Sequence, residues 1–595
     1  MRRLTRPRSI PRPLFARAHQ STLTQARTVG PKQPPLLEET VGENFARIVS
    51  NHGDRPAVIS RHQNKRVTYH ELDLNSNVLA KGLQSLGVKK GDRVCVHLGN
   101  NLEFATITYA LFKLGAILVP LNPAFNATQI ASALNHLTAT HLVIGAETNL
   151  PFKAPRSNIP ILEALVPDLT ASRLASSAIP SLQSVILLDN SAKRVDTSSL
   201  RALTPWHTIA HDTSTSAPTP SELLKNSDIV NIQFTSGTTS TPKAACLSHR
   251  SILNNGNSIG DRMLLTPSDV VVCPPPLFHC FGCILGYMAT ATHGSAIVFP
   301  TEAFNPLASL KAVQEEKGTA LYGVPTMFLA CLDLIADGTV PHEGFQYLRT
   351  GIAAGSSVPA ELMRKLHKVL NLTELTICYG MTETSPVSCM TTTDDPLEKR
   401  ISTVGRLLPH VEAKVVDPFD HNRILNIGER GELAVNGYLV MKEYWAQPDK
   451  TDEAMLTDEQ GKIWMHTGDE AIMDAEGYVS ITGRIKDLII RGGENIHPLE
   501  IENCLYGNPK VGDVSVVGLP DEKYGEVVAA FMIQRKGENL TTEDVRSWVR
   551  EKLSHHLVPK YVFWVDEYPK TASGKIQKFL LRAEGSKLIT EGKGT

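Results

Sequence analysis

Phe234-Thr235-Ser236-Gly237-Thr238-Thr239-Ser240-Thr241-Pro242-Lys243 gathers six hydroxyls, one glycine and a closing lysine into ten residues. Gly237 lets the backbone approach an anion closely. The hydroxyls and main-chain N–H groups supply donors, and Lys243 adds a compact positive charge, so the segment suits a polyphosphate. A Walker A loop needs glycine directly before its lysine and Ser or Thr directly after it; Pro242 and Ala244 stand there, and that reading fails at both positions. The bland alternative for the segment alone is a Ser/Thr-rich surface loop.

Outward from this loop the pattern is strand alternating with helix. Thr68 and Glu71 have capping-box spacing, Leu72, Leu79, Leu83 and Leu86 share one helical face, and Gly87 follows as a stop. A strand at 94–98, a helix over about 102–114 and the apolar run 116–119 continue the rhythm, which recurs around Ile297, Ala320 and Leu375. Such alternation predicts buried parallel sheet. Residues 270–301 lack Asp, Glu, Lys and Arg, yet Pro274-Pro275-Pro276 and Gly294 cut the run shorter than a bilayer span, so a buried strand–helix–strand is expected and no integral membrane segment. Residues 213–221 read as a surface connection. Beyond about Lys486 the elements change to a helix after Pro498, strands at 514–517 and 527–533 and a capped helix from Thr541, a small α+β body.

Four further segments carry chemistry: Tyr379-Gly380-Met381-Thr382-Glu383-Thr384, His466-Thr467-Gly468-Asp469, Gly483-Arg484-Ile485-Lys486-Asp487 through Arg491-Gly492-Gly493-Glu494-Asn495, and Pro569-Lys570-Thr571-Ala572-Ser573-Gly574-Lys575. With the opening loop they resemble, in order and over about residues 36–585, the adenylate-forming acyl-CoA synthetases. Asn231-Ile232-Gln233-Phe234, Pro276-Leu277-Phe278-His279-Cys280 and 321–328 look most like the mitochondrial medium-chain branch. The resemblance implies an α/β fold: a large N-terminal body of mostly parallel sheets flanked by helices (34–485) and a smaller, mobile α+β C-terminal lid (486–595). It implies a carboxylic acid, ATP, Mg²⁺ and CoA as reactants and cofactor. A carboxylate repels nucleophiles, so it first displaces pyrophosphate at the α-phosphorus of ATP, and CoA thiolate then displaces AMP; positioning and charge neutralisation supply most of the catalysis.

On this resemblance Thr235, Ser236, Gly237, Thr238, Thr239, Ser240, Thr241, Pro242 and Lys243 hold the phosphates. Gly355, Ser356 and Ser357 line one side of the adenine, with an ordinary turn as the alternative, while Tyr379, beside Gly380, stacks on the other. Thr382 meets phosphate or acyl carboxylate, and Glu383 holds Mg²⁺, since a phosphate-bridging hard cation takes one or two protein carboxylates. Asp469 accepts from the ribose hydroxyls and Arg484 donates to ribose and phosphate oxygens; alone, such a pair reads as a surface ion pair. Lys575 neutralises charge in adenylation, Lys486 is the hinge, and Gly492, Gly493 and Glu494 line the CoA path, a plain β-turn being the alternative. His279, Phe281, Tyr322 and Met327 line the acyl pocket or are simply core. The family has glycine where this chain has Ser240 and Ala244, a departure that bears on activity.

The chain of 595 residues carries 60 basic and 61 acidic residues with 42% hydrophobic content, enough for several core-sized units. Arg2, Arg3, Arg6, Arg8, Arg12, Arg17, Arg27 and Lys32 precede any acid, which suits a mitochondrial presequence over 1–33 and a matrix location, against a disordered basic tail. Without it the net charge falls near −9, which argues against nucleic-acid partners. Nine scattered cysteines suit a reducing compartment, and Cys280-Phe281-Gly282-Cys283, without a second pair, reads as core. His555-His556 reads as solvated surface. A nucleotide-binding homologue without activity, and an adenylation enzyme that loads a carrier protein, are the competing readings.

Overall fold

Thr68 starts the helix Tyr69–Ser85 as its spacing predicts: its hydroxyl accepts from the Glu71 N–H at 3.1 Å, and the Glu71 carboxylate accepts the Thr68 N–H at 2.8 Å. Leu72, Leu79 and Leu83 are buried, Leu86 closes the helix, and Gly87 leaves it with φ +92°. The computed structural model describes residues 24–211, 215–235, 243–355, 358–571 and 575–594.

Three large sheets build the N-terminal body among the described residues. In the first, Thr204–Pro205, Ser184–Leu188, His141–Gly145, Arg93–His97, Ile117–Pro120 and Ile229–Thr235 run parallel in that spatial order, and Lys243–Ser248 closes the edge antiparallel. The second has a parallel centre of Glu374–Gly380, Thr350–Ala353, Ala320–Gly323, Val270–Val272, Ala296–Phe299 and Pro56–Ser60. The apolar run at 270–301 is strand, π-helical turn (Phe281–Met288) and strand, buried except at the first strand's first residue, Val270. Parallel strands need crossovers, and the helices that make them cover both faces, which is why these strands read as continuous apolar runs.

The third sheet, beside two that are mostly parallel as expected, is wholly antiparallel. Its core order is Arg27–Val29, Val411–Asp417, Gly431–Gly437, Ile463–Met473 and Met455–Thr457, with Asp420–Ile424 and Val479–Arg484 alongside. Short links join Val411–Asp417 to Asp420–Ile424, Met455–Thr457 to Ile463–Met473, and Ile463–Met473 to Val479–Arg484, and only antiparallel pairing accepts them. Arg27 pairs with Lys414 across the ladder, and its guanidinium bonds Glu412 Oε1 through Nε at 2.8 Å and Nη2 at 2.5 Å. The expected presequence boundary at residue 33 therefore falls beyond a paired strand of the folded body.

After Val479–Arg484 the chain makes a single helical turn, Ile485–Asp487, and enters a separate core of Ile489, Ile501, Val516, Val528 and Met532. There Val511–Asp521 and Gly525–Gln534 form a long hairpin, Tyr561–Trp564 adds parallel to it, and the helices Pro498–Tyr506, Thr542–Lys552 and Lys578–Thr590 pack around it. Thr541 caps its helix reciprocally with Asp544. Among the described residues no helix is long and apolar enough to cross a membrane.

Candidate active site

Thr235 and Lys243 face each other in the ladder between Ile229–Thr235 and Lys243–Ser248, so the chain leaves and re-enters the sheet at one point. The loop between them, Ser236 through Pro242, lies outside the described residues, as do Ser356 and Ser357. Ala244, the first departure from the family pattern, is fully buried inside the strand and pairs with Phe234; nothing there calls for glycine. Ser240 lies outside the described residues.

Gly380 ends the central strand Glu374–Gly380 of the second sheet and pairs with Val387. A Cβ on Gly380 would lie 1.9 Å from the Pro386 carbonyl oxygen, so the tight turn admits glycine alone. That turn presents Thr382 and Glu383. Glu383 is 5% exposed, and its Oε1 accepts the Tyr444 hydroxyl at 2.6 Å. Lys243 Nζ stands 4.7 Å from the centre of the Tyr444 ring, so the lysine that closes the loop and the acid meet through one tyrosine. Burial, with Glu383 beside it, holds the Tyr444 phenol well above its ordinary value. Tyr444 is absent from the sequence reading because no motif marks it; a buried acid requires a donor, but spacing does not say which. A buried oxygen ligand held in this way fits a hard divalent cation, with Glu383 as its protein ligand.

Asp469 and Arg484 are directly opposed on neighbouring strands of the third sheet. Asp469 accepts from Arg484 Nε at 3.1 Å and from the Tyr379 hydroxyl at 2.6 Å. Arg484 thus pairs with Asp469 as an isolated Asp–Arg reading would have it, and the same pair also meets Tyr379 on the second sheet. Burial first, and the neighbouring Asp469 next, raise the Tyr379 phenol. Gly355, two residues past the strand Thr350–Ala353, stands at φ +93°.

Lys575, on the C-terminal body, comes within electrostatic reach of Arg484, Cys280, Asp469 and Glu383. Removal from water lowers its ammonium pKa, Arg484 adds to that, and Cys280, Asp469 and Glu383 oppose it. A second bridge between the bodies joins His497 Nδ1 to Glu470 Oε2 at 3.0 Å. Lys486 lies in the connecting turn.

Of the four residues expected at the acyl pocket, Phe281 and Tyr322 bring their ring centroids to 6.2 Å. His279, half-buried, has its pKa pushed down to about 3 by burial and by Lys575, so its ring is neutral. Its neighbour Cys280, pushed up to about 11 by burial, sits with Sγ 3.8 Å from Thr382 Oγ1. Phe281 and Tyr322 are core: both are buried, and the Tyr322 hydroxyl donates to Met263 Sδ at 3.0 Å. Met327 is half-buried between two core clusters. Cys283 accepts from Gln233 Nε2 at 3.2 Å.

Gly492 and Gly493, at φ +61° and +89°, form the two-residue turn of a hairpin in which Arg491 pairs with Glu494. Such a turn demands positive φ at both positions and accounts for both glycines without a ligand. His555 is exposed, and His556, partly exposed, has Nε2 3.6 Å from a carboxylate oxygen of the exposed Glu494, a surface pair.

A phosphate-suited loop closed by lysine, a buried acid, an Asp–Arg–Tyr cluster and a lysine from a second body define an adenylate-forming enzyme. The chain belongs to the AMP-binding enzyme family: residues 45–445 match the AMP-binding enzyme model and 500–575 its C-terminal domain. It is an acyl-CoA synthetase, using a small-molecule acid, ATP and CoA. An acyl-CoA ligase of Aspergillus fumigatus, sidI, is 42% identical, spanning 93% of this chain and 92% of its own. The mitochondrial medium-chain acyl-CoA ligase ACSF2 of Bos taurus is 37% identical over 92% of this chain and 88% of its own. Among solved structures, ATP-bound MatB from Rhodopseudomonas palustris superposes with a TM-score of 0.77 at 26% identity, covering 92% of this chain and 99% of that one.

Proposed function

We propose that the protein activates a medium-chain fatty acid in the mitochondrial matrix through acyl-AMP and transfers the acyl group to CoA. The observation that carries this reading is the approach of Lys575 to Asp469, Arg484 and Glu383, residues that reach one place from separate sheets and a second body. Segments 235–243 and 355–357 cradle phosphates and adenine, with Tyr379 against the ring and Asp469 and Arg484 on the ribose. Glu383 holds Mg²⁺, which, when bound, screens phosphate charge. Thr382 and Lys575 orient the acyl carboxylate and neutralise charge at the α-phosphate as the bond to pyrophosphate lengthens. The chain then turns about Lys486, and Gly492, Gly493 and Glu494 line the route of the thiol. Neutral His279 suits an apolar acyl tail, since a charged ring there would resist burial.

Support for medium-chain use and a matrix address comes from likeness to the ACSF2 ligases and from the arginine-rich start. The pairing of Arg27–Val29 with Val411–Asp417 favours a removable leader that ends before that strand. Thioester formation measured with acids from acetate to palmitate and with aromatic acids tests the reading. It expects maximal kcat/KM at intermediate chain length; preference for a short, polar or aromatic acid, or transfer to a carrier protein in place of CoA, overturns it.

A further inference from the structure

We propose that His421, Glu432 and His466 form a binding site for one Zn²⁺ ion, sharing no ligand with Glu383. The three lie on different strands of the antiparallel sheet, Asp420–Ile424, Gly431–Gly437 and Ile463–Met473. Their ligand atoms all fall within 4.8 Å of one another. Glu432 Oε2 is 3.4 Å from His421 Nε2 and 2.9 Å from His466 Nδ1, and the two imidazole rings have centroids 4.4 Å apart. Tetrahedral zinc with bonds of about 2.0–2.1 Å holds its ligands roughly 3.3 Å from each other, so small side-chain adjustments close the site. Two imidazoles and one carboxylate are a zinc donor set, with water as the fourth ligand.

Surrounding groups prepare the acid for this role. Glu432 is 6% exposed, and one of its carboxylate oxygens faces both imidazoles. Its other oxygen, Oε1, accepts that N–H at 2.8 Å, which orients the carboxylate as an outer-shell partner orients a metal ligand. The opposing acid, Glu470, is engaged elsewhere by Thr482 and His497. His421 is 40% exposed, giving an ion a way in. Gly468 immediately precedes Asp469, so an ion here would fasten the turn that aims Asp469.

Equilibrium dialysis of the full chain with Zn²⁺, and absorption spectra with Co²⁺ in its place, test the site against His421→Ala and Glu432→Gln. The wild type should bind about one equivalent and give tetrahedral Co²⁺ bands. His421→Ala, remote from the reacting groups, should bind at least ~10-fold more weakly while keeping its zinc-free ligase rate. Glu432→Gln should weaken binding likewise, and Zn²⁺ should raise the thermal midpoint of the wild type only. Equal binding by wild type and His421→Ala, no stoichiometric binding by the wild type, or a Co²⁺–thiolate charge-transfer band would each overturn the assignment.

Discussion

Gly380→Ala should disable adenylation while leaving the protein folded. The added Cβ would sit 1.9 Å from the Pro386 oxygen, 2.9 Å from its carbonyl carbon and 3.0 Å from the Ser388 nitrogen. All three are backbone atoms, so no side chain can swing aside. Reaching an ordinary contact of ~3.5 Å requires the strand end and its partner to part by about 1.6 Å. The strain should cost about 1–3 kcal/mol of stability, typical of overpacking, which a body of this size tolerates. The catalytic cost is larger in proportion, because Thr382 and Glu383 follow Gly380 by two and three residues. A misplacement of ~1 Å at a reacting centre costs on the order of 100-fold in rate, near 2.7 kcal/mol of activation free energy. Acid-dependent pyrophosphate release should therefore fall ~100-fold, with circular dichroism unchanged. Gly483→Ala is the matched control: no atom lies within 4 Å of its would-be Cβ and its φ is not positive, so it should stay within about twofold of wild type. A Gly380→Ala enzyme as active as Gly483→Ala would refute the claim that this turn aims the catalytic pair.

Lys575→Ala should lower the adenylation rate by ~100–1,000-fold and spare thioester formation from supplied acyl-AMP; equal loss in both half-reactions would count against the role. Because burial and Arg484 depress its pKa and the working form is the cation, kcat/KM for ATP should fall as pH rises through a value below 10.5, and this limb should vanish in Lys575→Ala. Tyr444→Phe keeps the ring under Lys243 but strips the 2.6 Å donor from Glu383. A bond to a buried charge is worth about 1.5–3 kcal/mol, so kcat/KM for ATP should drop by roughly 10-fold or more; an unchanged value would show that Glu383 needs no such anchor.

Much of the fold is legible because its determinants are local. The Thr68–Glu71 box, the helix Leu102–Leu114, the parallel strands and the lid helices at Pro498 and Thr542 all stand where spacing and apolar runs place them. The antiparallel sheet escapes notice because its strands are buried among mixed residues: Glu412 and Lys414 lie inside Val411–Asp417, paired with Arg27, Lys462 and the Trp464 ring. Alternating charge in that strand looks like surface until the partners arrive from distant segments. Tyr444 is missed for the same reason, since it meets Glu383 only when remote segments come together. The turn Gly492-Gly493 is legible as a turn, since hairpin geometry alone demands both glycines, and the same pattern therefore cannot by itself single out a ligand path.

The position of Lys575 carries a further consequence for how the two bodies close. Lys575 and Arg484 stand near each other as like charges, offset by Asp469 and Glu383, and burial removes water that would otherwise screen them. Docking the lid therefore costs free energy that the 3.0 Å bridge from His497 to Glu470 and local packing must meet. A triphosphate entering between Lys243, Arg484 and Lys575 supplies the missing negative charge and turns repulsion among cations into shared attraction. Nucleotide should thus bind the docked arrangement more tightly than the undocked one and shift the population toward it.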